Sequence, residues 1–578
     1  MSRRTVLPLL FVLALAPIGV CGPPGSRFAS LVSRDSRMYL WTDDRAAFLR
    51  RARRVGLIEE LSRIAPPSLS SDLAAAGSDL SVFLAPDLLE ALPAVARRGS
   101  GELALSVEGY VLERGRASPD ILVLADATGF EGLVELISML VDQPERAELL
   151  APLRLPFRLN TKVPVRTHVH RGVAIVQFET AGGQSMALAE TGGVLYGARS
   201  SQRVEMALDR ALRQALGSLA DSDRFQEVFR RLAPSPGSLF WYTDLRRLRD
   251  PRSVRLLRES AGKDLLVETL SAYDGIGLTL RGHGGTFEFR AFLERAAGSR
   301  SRPHPWLRPN APLLSPVRLP KGSVAAVSLR ADAAQAGTLL SSMNQMLGGA
   351  WVPNVLRDYC LAVLGEEAAA EIGARLTGEF TVVVPDGVHP GEVLPRLVFL
   401  MQTGDAPGLR RWLSGVARRS SPASFRQVAL GADTYFLMPL PGNGYQTELA
   451  LMVEDGWLMA STRIVHLRWF VNLCRMQSAG LSRTERFLRP MDRLDFQTGQ
   501  PVSGLLFGAG PELAEGVGSW LGSGLRFHPH FGLDSARTRF AARCVRLLLD
   551  PDLTASFQGL AVRCQSTEDG VLIDGVGP

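Results

Sequence analysis

Two His-x-His pairs are the residues of this 578-residue chain whose type and spacing best suit chemistry. His168 and His170 fall in a stretch that reads as a strand, where alternate side chains share a face. Two neutral imidazoles so placed could share a divalent metal, and a metal-bound water would then serve hydrolysis. Arg166 shares that face and would repel a cation, and no third ligand stands nearby in sequence, so the pair reads first as a polar strand surface. His528 and His530 flank Pro529 in the loop-like stretch from Arg526 to Gly532, again without a surrounding ligand cluster. No metal ligand set and no cofactor site is therefore assigned.

The acidic residues point to local structure. Asp120, Asp126 and Glu131 could be acid–base carboxylates, but Thr128 and Glu131 have the spacing of a capping box and Asp126 falls in a loop. Asp221 and Asp223 read as caps of the helix that follows. Trp241 and Tyr242 read as core or sheet-surface aromatics. The chain has no GxSxG, P-loop, HExxH, EF-hand loop, CxxC or GxGxxG in strand–helix context. The expectation is a protein that is not an enzyme.

The elements that would position these residues alternate in type. Leu103, Leu105, Val107 and Val111 have the period of a half-buried strand, and Ile121 to Ala125 is apolar throughout, as in a central strand. Phe130, Leu133, Val134, Ile137, Leu140 and Val141 lie on one helical face. Asp405 caps a helix carrying Leu409, Trp412, Leu413 and Val416. Val165 to Phe178 turns back at Arg171-Gly172, and Ser185 to Ala198 turns at Thr191-Gly192-Gly193. After it, Val204, Ala207, Leu208, Ala211 and Leu212 form another helical face.

These patterns run twice in the same order. Glu102 to Val107 is answered by Glu379 to Val384, and Ile121 to Asp126 by Arg396 to Met401. Met186 to Leu195 is answered by Leu449 to Leu458, Arg224-Phe225 by Arg486-Phe487, and Gly277 to Arg281 by Gly559 to Arg563. The expected organisation is a leader over 1–22, a first unit over 36–298, a proline-rich linker over 299–322 and a second unit over 323–578. The expected fold class is α+β: two tandem duplicated units, each a largely antiparallel sheet with helices packed on one face.

Composition and ends set the compartment. Hydrophobic residues make up 46% and charged residues 21%, which excludes a wholly disordered chain. The net charge is +7, with only three lysines (Lys162, Lys263, Lys321). The positive charge is spread along the chain, and the densest run, Arg50 to Arg54, reads as a solvated helix face, so no nucleic-acid partner is expected. Ser2-Arg3-Arg4 followed by the apolar run Val6 to Val20 reads as an export signal. Ile18-Gly19-Val20-Cys21 is similar to a lipobox with Cys21 as the residue to be lipidated, apart from Val20 in place of a small residue. Membrane contact is expected only through this signal or a lipid on Cys21. Cys360, Cys474, Cys544 and Cys564 remain, enough for two disulfides in three pairings.

The leader, the strand–helix unit Leu122 to Leu133, the stretches Ala187 to Ser200 and Ser218 to Leu232, and the second half beginning Leu319 to Asp332 together resemble the uncharacterised bacterial exported proteins of domain-of-unknown-function family 3352. The resemblance implies an extracytoplasmic bacterial protein in the periplasm, associated with the outer membrane, or secreted. It implies no reaction. The expected function is a non-enzymatic envelope protein that binds or scaffolds, its partner another envelope protein. The alternatives are a carrier of an apolar or lipid ligand between sheet and helices, and a metal-dependent hydrolase using a His-x-His pair.

Overall fold

The computed structural model describes residues 27–44, 47, 101–113, 116–128, 132–139, 163–179, 185–213, 217–234, 238–247, 272–283, 286–296, 307–330, 371, 374–385, 397–421, 424–439, 448–461, 463–476, 480–509 and 559–577. Cys21 and the rest of the leader, Arg50 to Arg54, Glu131, Cys360, His528, His530, Cys544 and the first part of the linker lie outside them.

Among the described residues the strands pair antiparallel, and two short strands pair apart from the others. This corrects the expected fold class. Among the described residues strand predominates over helix, and the arrangement is not the expected two duplicated units with helices packed on one face. Periodicity reports that a segment is a strand and which of its faces is apolar. It does not report which strand edges stay open, and an open edge is a row of unpaired N–H and C=O groups that another strand can extend.

The chain separates into two compact units, Leu7–Ala297 and Gly298–Pro578. The first contains β1 (Met38–Thr42), β2 (Leu103–Glu113), β3 (Arg116–Asp126), β4 (Arg166–His170), β5 (Val173–Glu179), β6 (Ser185–Thr191), β7 (Val194–Ala198), β8 (Ser238–Asp244), β9 (Tyr273–His283) and β10 (Thr286–Arg295). Its helices among the described residues are α1 (Leu133–Ser138), α2 (Ser201–Arg213) and α3 (Asp223–Leu232). The strands pair in the order β4-β5-β6-β7-β3-β2-β1-β8-β9-β10. The β4–β5 turn places Arg171 and Gly172 at φ 50° and 83°, the left-handed pair that a two-residue hairpin needs.

Alternation along β1 divides its side chains between two faces. Met38 and Leu40 pack with Leu105, Val107, Ile121 and Val123. Tyr39 and Trp41 point the other way, onto Phe225 and Phe229 of α3. Phe225 also meets Phe240 and Tyr242 of β8 edge-on, at 5.7 and 5.4 Å between centroids. Helix α3 lies so close to β9 that a Cβ on Gly277 would fall 2.3 Å from Val228 Cγ1.

The second unit contains β11 (Ala311–Pro312), β12 (Ala325–Arg330), β13 (Leu376–Val384), β14 (Val398–Thr403), β15 (Arg426–Leu430), β16 (Asp433–Pro439), β17 (Glu448–Glu454), β18 (Trp457–Ser461), β19 (Pro501–Val502), β20 (Gly504–Gly508), β21 (Leu560–Ser566) and β22 (Gly570–Gly577). Its helices are α4 (Ser315–Arg318), α5 (Ala406–Arg419), α6 (Ile464–Met476) and α7 (Glu485–Arg493). The main strands pair in the order β15-β16-β17-β18-β14-β13-β12-β20-β21-β22. Here the expectation of helices on a single face also fails. Leu449, Leu451 and Val453 of β17 pack with Leu409, Leu413 and Val416 of α5. Ala450 and Met452 face the opposite core, with Leu467, Phe470 and Val471 of α6 and Phe487 and Met491 of α7. A strand covered on both sides must be apolar at every position, which is why Leu449 to Val453 is an unbroken hydrophobic run.

Candidate functional site

The structure supplies the His-x-His pair with partners that the local sequence does not. Glu205 and Asp209 stand one turn apart on α2, facing His168 and His170 of β4. His168 Nε2 lies 2.9 Å from Glu205 Oε1, and His170 Nε2 lies 3.0 Å from Asp209 Oδ1. The match is geometric. Four residues of helix rise about 6 Å, close to the roughly 6.6 Å spanned by two residues of strand. Arg171, in the turn, also bonds Asp209. The His170 hydrogen bond, with help from Arg171, holds the Asp209 carboxyl below its usual range. Each imidazole thus has its own carboxylate, and no group of three or more His, Cys, Asp or Glu side chains among the described residues converges on a point that could hold a metal ion.

The other acidic candidates also have structural partners. Asp120 accepts from Nε of Arg203 at 2.9 Å, with Nη2 on the same oxygen. Asp126 accepts from the amide and the hydroxyl of Thr128, at 3.0 and 2.5 Å. Thr128 is therefore not the cap of α1, which begins after Gly132 in the left-handed region with no side-chain cap. Asp221 accepts from the Ser218 amide and hydroxyl at 2.8 and 2.6 Å, which lowers its carboxyl. Ser222, not Asp221 or Asp223, is the N-cap of α3. Tyr242 is buried, with its hydroxyl pushed up by burial, while Trp241 is half-buried. Leu212, expected on the apolar face of α2, is exposed, and Arg210 is buried instead. Cys474 and Cys564 are free thiols, so neither takes part in a disulfide.

A site that the residue-by-residue reading passed over lies under α6. Leu467, Phe470, Val471 and Cys474 recur at helical spacing and turn one face of α6 toward the sheet. Trp457 and Met459 alternate onto the matching face of β18, and Leu400 of β14 pairs in register with Met459. Between helix and sheet is a cavity of about 220 Å³, walled by Leu319, Leu400, Trp457, Met459, Val471 and Cys474. Burial pushes the Cys474 thiol up to about 12.

The segment Val317 to Leu319 closes one side. Its start is held where the Leu314 and Ser315 amides donate to the buried Glu379 carboxylate, at 2.7 and 3.0 Å. Its end is held where the Leu481 amide donates to the Leu319 carbonyl at 2.8 Å. Gly480 underlies this segment so closely that a Cβ there would fall 1.9 Å from the Val317 carbonyl oxygen. At the rim stand Arg318, Glu454, Asp455 and Arg475. The result is a partly open pocket with an apolar floor and several charged groups among its lining, a combination that small-molecule sites use.

No protein-family model, curated protein or solved structure matches the chain.

Proposed function

We propose that this is a non-enzymatic exported protein of the bacterial envelope that binds a small apolar ligand in the cavity between its sheet and α6. The cavity carries the reading: a partly open pocket of about 220 Å³ whose lining joins Leu, Met, Val, Trp and Cys side chains to four charged ones. The basic start and apolar run of the leader support export. An apolar cavity of about 150 Å³ accepts benzene, so by proportion this one accepts a body of about nine heavy atoms. Ligands of that size gain roughly 0.5–0.8 kcal/mol per atom, giving a Kd between micromolar and millimolar.

The test is a calorimetric titration of the full chain with ethylbenzene, beside the Val471→Phe variant. The expected result is saturable binding that is lost when Phe fills the cavity, with near-UV circular dichroism retained. Absence of saturable binding, or binding that survives Val471→Phe, would overturn the proposal.

A further inference from the structure

The rim of the cavity selects the head group of the ligand. Resting on the cavity as the binding site, we infer that the ligand is an amphiphile with a cationic, hydrogen-bond-donating head, such as a small primary amine, and not a carboxylate.

The four charged side chains at the rim are not equally free to meet a ligand. Arg475 donates four hydrogen bonds: two to Asp433, at 3.0 and 2.8 Å, and two to Glu454 Oε1, at 2.9 and 2.6 Å. Two carboxylates share its charge, and most of its donors are used. Arg318 makes only a loose contact, 3.7 Å from Asp455. On the acceptor side, Glu454 is engaged through Oε1 alone among the described residues. Asp455, in the β17–β18 turn, has a side chain 71% exposed. Spare capacity at the rim is therefore mostly carboxylate oxygen.

An ammonium at the mouth can donate to Glu454 Oε2 and to Asp455 while its apolar body fills the space beside Trp457, a side chain that itself attracts cations. A carboxylate head would find Arg475 already bonded to Asp433 and Glu454, and Arg318 already facing Asp455.

The experiment titrates the full chain at pH 7 with 2-phenylethylamine, 2-phenylethanol and phenylacetate, three probes of nearly equal size. The amine is expected to bind at least tenfold tighter than the carboxylate, with the alcohol between them. Asp455 sits at φ 47°, in the left-handed region that Asn tolerates as well as Asp. Asp455→Asn therefore removes the charge without straining the turn, and the amine-over-alcohol ratio should fall at least threefold. Arg318→Gln should raise the amine-over-carboxylate ratio. Phenylacetate binding as tightly as the amine, or a ratio unmoved by Asp455→Asn, overturns the inference while the cavity reading stands. Failure of all three probes overturns both.

Discussion

Replacing Arg203 by Met should destabilise the first unit by about 3 kcal/mol. Arg203 reaches from α2 to two strands. Its Nη1 lies 2.6 Å from Glu108 Oε2 on β2, and its Nε lies 2.9 Å from Asp120 Oδ2 on β3. The Glu108 side chain is only 1% exposed, and its other oxygen accepts from the Ser33 amide at 2.9 Å and faces Arg210 at 3.7 Å. Among the described residues Asp120 Oδ1 has no hydrogen-bond partner, so Asp120 relies on Arg203 through Oδ2. Methionine keeps the aliphatic stem but strands the Asp120 carboxylate and leaves Glu108 with only the Ser33 amide and the more distant Arg210. Removing one member of a buried pair costs about 3–5 kcal/mol, because a charge is left desolvated and unpaired. Arg203 is 18% exposed. Water can therefore relieve part of that cost, which favours the lower end of the range. Urea unfolding of the full chain, followed by near-UV circular dichroism, should show the midpoint of the affected transition falling by about 1 M. Adding Glu108→Gln and Asp120→Asn to Arg203→Met removes the stranded charges and should recover at least half of the loss. A shift under about 0.3 M, or no recovery in the triple variant, would refute the reasoning.

Three further outcomes follow from the geometry. Burial raises the Glu102 carboxyl despite the Trp41 indole donating to it at 2.6 Å. Its folded value thus lies above its unfolded one, and wild-type stability should rise as pH falls through that raised value. Glu102→Gln keeps the acceptor without the charge, so it should match or exceed wild type by up to about 1 kcal/mol at pH 7, an advantage that closes near pH 4 in paired urea titrations. Gly480→Ala drives a Cβ into the Val317 carbonyl and should cost about 1–3 kcal/mol by thermal unfolding, with weaker 2-phenylethanol binding as the segment over the cavity shifts. Cys474 and Cys564, both pushed up to about 12 by burial, should react with iodoacetamide at pH 8 on the order of a thousandfold more slowly than an ordinary thiol. Rapid native labelling in intact-mass measurements would contradict their burial.

The candidate site was legible only in pieces. The spacing of His168 and His170 is enough to put them on one strand face, but Glu205 and Asp209 lie far along the chain on a helix, and only the packing of α2 against the hairpin brings them within 3 Å. Asp120 carries no mark in its neighbourhood of the Arg203 that neutralises it. The cavity was invisible for a related reason. Trp457, Met459, Leu400 and Val471 are ordinary apolar residues, and an unfilled volume belongs to how they fail to meet, not to any one of them.

What the sequence by itself determined is local. Turns follow from Arg171-Gly172 and Gly192-Gly193, the Asp405 cap from its place before α5, and apolar faces from period two or 3.6, because each depends on backbone sterics or hydrogen bonds within a few residues. Tertiary structure decided what depends on meetings between distant segments. It set the order in which the strands of each unit pair and placed helices on both faces of β17. It also brought Arg203 to Glu108 and Asp120 and left the space under α6 open. Strand edges, desolvated ions and packing voids take their energies from neighbours in space, and the order of residues along the chain does not name those neighbours.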